Sequence, residues 1–188
     1  VDHQGKSVHV GKVDSISRTG IYSGGNLAAV LALKAPLLTP PLPHPLVLQL
    51  LIVPVTDNTS TDSSPSPHAS WKTNEHTPWL GPARMLWFRN NYLPDVNRRS
   101  EWLASPLLAP DDVIKGAPKK CWVGVAEMDI LRDEGLAFAS RLEKAGVDTQ
   151  AVVYEMAPHP IMAMDGVLAI GKKMIKGAGD ALKAALYE

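Results

Sequence analysis

The chain has 188 residues, 45% hydrophobic and 20% charged, enough for one domain with a real core. Its 19 basic and 19 acidic residues cancel, so it offers no basic field for nucleic acid and no basic block for a membrane surface. The longest apolar stretch, residues 46–55, is broken by Gln49 and Pro54 and is too short to span a bilayer. Residues 1–9 are polar and do not read as a signal peptide. The single Cys121 excludes an internal disulfide and argues against a Cys-based metal site. A soluble globular protein is expected.

Residues 1–19 are polar without a clean period. Residues 26–33 read as a helix that is apolar on nearly every side, hence buried, and stopped by Pro36. The run 37–45, with Pro40, Pro41, Pro43 and Pro45, excludes regular structure. Residues 46–53 read as a strand covered on both faces, as parallel strands are. A Ser/Thr/Pro loop at 58–70 leads to a helix at 79–93. Residues 121–126 form a second buried strand, and 133–145 a helix with Leu136, Ala139 and Leu142 at one-turn spacing and Gly146 as its stop. Residues 150–155 alternate as a third strand, and a last helix, loosened by Gly171, Gly177 and Gly179, runs from about 165 to 187. Helices alternating with strands predict an α/β fold with a doubly wound, mostly parallel sheet. Functional groups in such a sheet gather after the carboxyl ends of the strands, which selects residues 20–25, 127–133 and 157–161.

In Gly20-Ile21-Tyr22-Ser23-Gly24-Gly25-Asn26, glycines stand two residues either side of Tyr22 and a helix follows. A nucleophile elbow needs that arrangement, because its central residue is strained and strand and helix must approach closely. A Gly-rich turn that only opens a helix, or holds an anion, has the same letters. Asp129 follows a buried strand and can orient a histidine or simply cap a turn, whereas Asp133 and Glu134 read as complements to a helix N-terminus. His159, in Met156-Ala157-Pro158-His159-Pro160, can serve as a general base held by Asp129. The order of elbow, acid and histidine, each after its own strand, is the order the α/β-hydrolase fold requires. His3, His9, His44, His68 and His76 lack partners at metal-ligand spacing and read as surface or turn residues, and no metal site is expected. Trp71, Trp79, Trp87 and Phe88 read as helix packing or as approaches to a pocket. Asp57 also follows a strand end, but its place in chain order fits the acid poorly.

Gly-x-x-Ser-Gly-Gly-Asn-Leu-Ala-Ala from Gly20, Ala104-Ser105-Pro106-Leu107, Asp129-x-Leu131-Arg132-Asp133-Glu134-Gly135, Arg141-Leu142-x-x-Ala145-Gly146-Val147 and Pro158-His159 succeed one another in a pattern that resembles the hormone-sensitive-lipase family of α/β-hydrolases. The segment Ser70-Trp71-Lys72-x-Asn74-Glu75-His76-Thr77-Pro78-Trp79-Leu80 looks like fungal members. The resemblance covers about residues 13–187. It implies an esterase of short acyl esters with a Ser-His-Asp triad, a small-molecule ester as substrate, and neither metal nor diffusible cofactor. By it Asp129 is the triad acid and His159 the base, and Ser23 and Gly24 supply backbone oxyanion donors. Residues 1–188 then form the C-terminal part of a single domain, with about 56–110 as a cap or pocket-proximal segment.

Three departures stand out. The Ser slot of the family elbow holds Tyr22. Ser23 is one step on, so it is the candidate nucleophile, but with Ile21 at its minus-two position, where the elbow wants Gly. No His-Gly-Gly-Gly oxyanion segment occurs in the chain. Residues 14–19, which should lead into the elbow as a central apolar strand, contain Arg18, and a charge there must be paired. Family members are roughly twice as long, so the strand entering the elbow is expected at a sheet edge. Either the chain is a fragment whose upstream half sits in a second chain or was removed, or the sequence over residues 1–23 is imperfect. The rivals to an esterase, given Tyr22 in the nucleophile slot, are a catalytically silent hydrolase-fold binding protein and an inactive fragment.

Overall fold

The computed structural model describes residues 16–61 and 66–187, the first three by backbone alone. Residues 1–15 and the side chain of Arg18, whose pairing the sequence put in question, lie outside the described residues. Four strands, β1 (Ile16–Ile21), β2 (Leu46–Ile52), β3 (Lys120–Ala126) and β4 (Asp148–Tyr154), lie side by side in chain order. Every pair is parallel, so each connection must cross over a face of the sheet. Helix α1 (Ser23–Lys34) joins β1 to β2. Helices α2 (Ser70–Thr73), α3 (Pro82–Tyr92) and α4 (Asp111–Lys115) lie between β2 and β3, α5 (Arg132–Lys144) joins β3 to β4, and α6 (Ala169–Tyr187) follows.

Alternation along the strands divides the core in two. Leu51, Cys121, Val123 and Val125 face α1 and α5, meeting Ala29, Leu33, Phe138 and Leu142. Leu48, Leu50, Ile52 and Trp122 face the other way, onto Met174 and Ala178 of α6. The apolar runs of β2 and β3 are thus covered on both faces, and the doubly wound parallel architecture is as expected. Gly146 ends α5 with φ 92°, a conformation that suits glycine. β1 pairs only with β2 among the described residues and forms the expected edge.

Some local expectations change. α1 is not buried all round: Leu27 and Leu31, one turn apart, are 52% and 45% exposed, because the helix lies on one face of the sheet and that stripe points away. In α3, Met85 is buried while Trp87, Phe88 and Tyr92 are exposed. The last helix begins at Ala169, preceded by a 3-10 turn at Ile161–Met164, and its glycines do not interrupt it.

Gln49 is a misfit in the core with a clear remedy. It sits in mid-β2, in register with Arg18 and Cys121, with no surface exposed and neither side-chain amide atom hydrogen-bonded among the described residues. An unpartnered buried amide costs about 1–3 kcal/mol. Gln49→Met, nearly the same shape, is expected to raise stability by about that amount, read as a higher urea midpoint at unchanged slope.

Candidate active site

The first turn of α1 starts so close to β1 that a Cβ on Gly20 would lie 2.0 Å from the Gly24 carbonyl oxygen, and one on Gly25 would lie 3.0 Å from Pro54. A Cβ on Gly24 would meet nothing. The glycines required are therefore at minus two and plus three from Tyr22. Between them Tyr22 takes φ 58° and ψ −123°, a strained conformation for a residue with a side chain. Its N–H continues the sheet by donating to the Ile52 carbonyl at 3.1 Å. Val53 and Met156, just past β2 and β4, also have positive φ, 41° and 56°. Backbone strain thus collects at the carboxyl end of the sheet, where sites are built.

Two loops meet the elbow there. After β3, Glu127 N–H donates to the Tyr154 carbonyl at 3.0 Å and Met128 N–H to the Ala157 carbonyl at 2.9 Å, so the acid loop and the histidine loop are tied together. Asp129 is buried, and its Oδ1 accepts the Leu131 N–H at 3.0 Å. Its Oδ2 lies 2.6 Å from His159 Nδ1. It therefore both caps its turn and holds the imidazole. An ionised carboxylate only accepts, so the ring donates from Nδ1 and keeps its lone pair on Nε2. The Tyr22 ring packs on His159 with centroids 4.6 Å apart and planes at 40°. Burial, and then the charge of Asp129, push the Tyr22 hydroxyl above its usual pKa.

The sequence-predicted residues are thus partly assembled. Tyr22, Asp129 and His159 come together. Ser23 is the first residue of α1, exposed, and its hydroxyl makes no hydrogen bond among the described residues. The N–H groups of Ser23 and Gly24 likewise make no hydrogen bond there and stand free at the start of the helix. A cavity of about 210 Å³ opens beside them, lined by Leu27, Val55, Met85 and Phe88 along with Ser23. A larger cavity, about 740 Å³, lies among Pro36, Leu46, Gly116 and Lys120 and holds none of the candidate groups. No cluster of three metal-ligating side chains occurs among the described residues, and no described helix is long and apolar enough to cross a membrane.

Several residues do more than their sequence context announced. His68, expected at the surface, is largely buried and lies 2.9 Å from Asp57. That hydrogen bond raises the His68 pKa, and although burial pushes Asp57 up, bonds from His68 and Thr59 hold it below its usual value. Asn74 donates to the carbonyls of Glu127 (3.0 Å) and Asp129 (2.9 Å), Ser70 Oγ to that of Ile130 (2.6 Å), and Thr77 Oγ1 to that of Met128. Glu134 is no exposed helix-end charge. It is fully buried, with Oε1 accepting the N–H of Thr56 (2.8 Å) and of Asp57 (3.2 Å), and Oε2 the indole N–H of Trp71 (3.3 Å). Burial pushes its pKa up to about 7, opposed by nearby Arg89 and the Thr56 N–H. The signals in the sequence were the Ser70–Leu80 motif, whose Ser70, Asn74 and Thr77 prove to be anchors, and the Asp129–Gly135 motif, which holds Glu134.

Comparison with known proteins fits this geometry. The family model described as alpha/beta hydrolase fold matches residues 6–163. AB hydrolase superfamily protein C1039.03 of Schizosaccharomyces pombe is 42% identical over 172 residues, 92% of this chain and 49% of that protein. An esterase of Gibberella moniliformis is 32% identical over 78% of this chain and 44% of its own. Among solved structures, a thermostable esterase from Pseudomonas putida superposes with TM-score 0.80 at 36% identity, covering 93% of this chain and 51% of that one. Carboxyl esterase 2 from the fungus Tuber melanosporum superposes with TM-score 0.78 at 27% identity, covering 92% and 54%. The chain spans about half the length of these relatives. With its sheet, its strained elbow and the family match over most of its length, the chain belongs to the α/β-hydrolase family, in its hormone-sensitive-lipase-like branch.

Proposed function

We propose that this chain carries the acid–base machinery of a carboxylic ester hydrolase acting on small esters with short acyl groups. The observation that carries the reading is the 2.6 Å contact between His159 Nδ1 and Asp129 Oδ2 beside a strained elbow. In this role Asp129 fixes the imidazole, and His159 Nε2 takes the proton of an attacking hydroxyl and returns it to the leaving alcohol. The N–H groups of Ser23 and Gly24 stabilise the oxyanion, and the small apolar cavity receives the acyl chain. Residues 56–110 are the pocket-proximal segment, since Met85 and Phe88 line that cavity. A second polypeptide supplying the upstream half would add the missing oxyanion donors.

The elbow geometry favours position 22 over position 23 for the reacting hydroxyl. Tyr22 is a poor nucleophile there, because its hydroxyl is held at the far end of a ring, its pKa is raised, and the ring covers the imidazole. That packing favours a second reading, in which the chain as it stands is silent and keeps only a binding cleft.

Tyr22→Ser is expected to make the folded chain react covalently with a fluorophosphonate at residue 22, mapped by peptide mass, and to raise hydrolysis of a short-chain aryl ester by about 100-fold or more. Without labelling of folded Tyr22→Ser, the esterase reading fails. Labelling of the unaltered chain at Ser23 would instead assign the nucleophile there. In the Tyr22→Ser background, Asp129→Asn is expected to remove most of the gained rate with folding retained, since the imidazole then loses its fixed tautomer.

A further inference from the structure

Glu134 lies in the first turn of α5 and hydrogen-bonds neither Asp129 nor His159, yet it ties α5 to two other parts of the chain. Its Oε1 accepts from the loop after β2, at Thr56 and Asp57, and the Thr56 hydroxyl returns a bond to the Glu134 carbonyl at 2.8 Å. Its Oε2 accepts the indole N–H of Trp71, in α2. Arg89 of α3 stacks over the Trp71 ring at 5.0 Å and donates to the carbonyls of Asp57 (2.9 Å) and Ser60 (3.0 Å) and to Asn58 Oδ1 (2.9 Å). The buried carboxylate is thus the shared acceptor of the loop after β2 and of the indole on α2.

Trp71 belongs to residues 70–77, which form a strap across the acid loop. Ser70, Asn74 and Thr77 together bond four successive carbonyls, those of Glu127, Met128, Asp129 and Ile130. Ser70 N–H also donates to Asp133 Oδ2 at 2.7 Å, and Asp133 N–H to Ser70 Oγ at 3.2 Å. The backbone of Asp129 therefore has no freedom of its own: its carbonyl is held by Asn74, its neighbours by Ser70 and Thr77.

We propose that Glu134 is a positioning residue, which through the Trp71 indole N–H and the 70–77 strap sets the Asp129 carboxylate against His159. A carboxylate with three N–H donors fixes direction as well as distance, and truncating it frees Trp71 and the 56–57 loop together. The inference rests on the proposed esterase only for its consequence in catalysis. The positioning itself is a property of the hydrogen bond between His159 and Asp129.

The test reads that bond directly in the full chain. The proton between His159 Nδ1 and Asp129 Oδ2 gives a downfield proton resonance, assigned by its loss in Asp129→Asn, and its exchange with water reports how firmly the pair is held. Trp71→Phe keeps an aromatic ring beside Arg89 and removes the N–H together with the rest of the pyrrole ring. It is expected to speed exchange at least about tenfold while circular dichroism and cooperative unfolding are retained. Glu134→Gln, which puts an amide donor toward the indole N–H, is expected to do the same. Ile114→Val, a core loss away from the strap, is expected to leave exchange within about twofold. Exchange in Trp71→Phe within twofold of the parent, or acceleration as great in Ile114→Val, overturns the proposal. Should Glu134→Gln fail to fold, Trp71→Phe decides alone. Faster exchange together with no labelling of Tyr22→Ser separates the two ideas, sustaining the positioning role and ending the esterase reading.

Discussion

Where β1 gives way to α1, the chain turns so sharply that residue 20 can carry no side chain: its Cβ would sit inside the Gly24 carbonyl group. This close approach sets the angle at which α1 leaves the sheet. It also presses Gly25 against Pro54 at the end of β2 and forces the residue between into positive φ. The burial of Ala29 and Leu33 on one face of the sheet follows from that departure angle, as does the outward stripe of Leu27 and Leu31. So does the approach of the Tyr22 ring to His159.

The other half of the site depends on polar bonding. Loops 127–130 and 156–159 come from neighbouring strands and are tied to each other through backbone bonds at Glu127 and Met128. The strap saturates the remaining carbonyls of the acid loop from outside. Buried backbone acceptors need partners, and here side chains from residues far away in sequence meet that need. A short segment such as α2, four residues long, would not hold a helix by itself. It is kept in place because its side chains are the partners.

Much of this was readable from letters. Continuous apolar runs announced β2 and β3, Gly146 announced the end of α5, and the chain order of elbow, Asp129 and His159 announced which loops would meet. The unread parts depend on contacts across long separations. A histidine in a Ser/Pro loop looks like a surface residue until the loop folds back and sets it against Asp57, 11 positions earlier. An acid in the first turn of a helix looks like a complement to the helix end, and nothing local says that Trp71 and Thr56, more than 60 residues upstream, will enclose it. In α1 the apolar letters were too uniform to show which side would face outward. At the elbow, the glycine at plus two seemed to matter, whereas the contact falls at plus three.

The strained turn at residue 22 has a consequence for how such a site drifts. Its conformation is dictated by Gly20, Gly25 and Pro54, and position 22 itself adds nothing to the turn except a side chain. The turn is thus set by its neighbours, and the side chain at 22 adds its own packing, on His159 and the core beneath α6, to a backbone path already fixed. Tyrosine and serine codons of the TAY and TCY classes differ by a single base. A tyrosine and a serine at this turn are therefore one mutational step apart, in either direction.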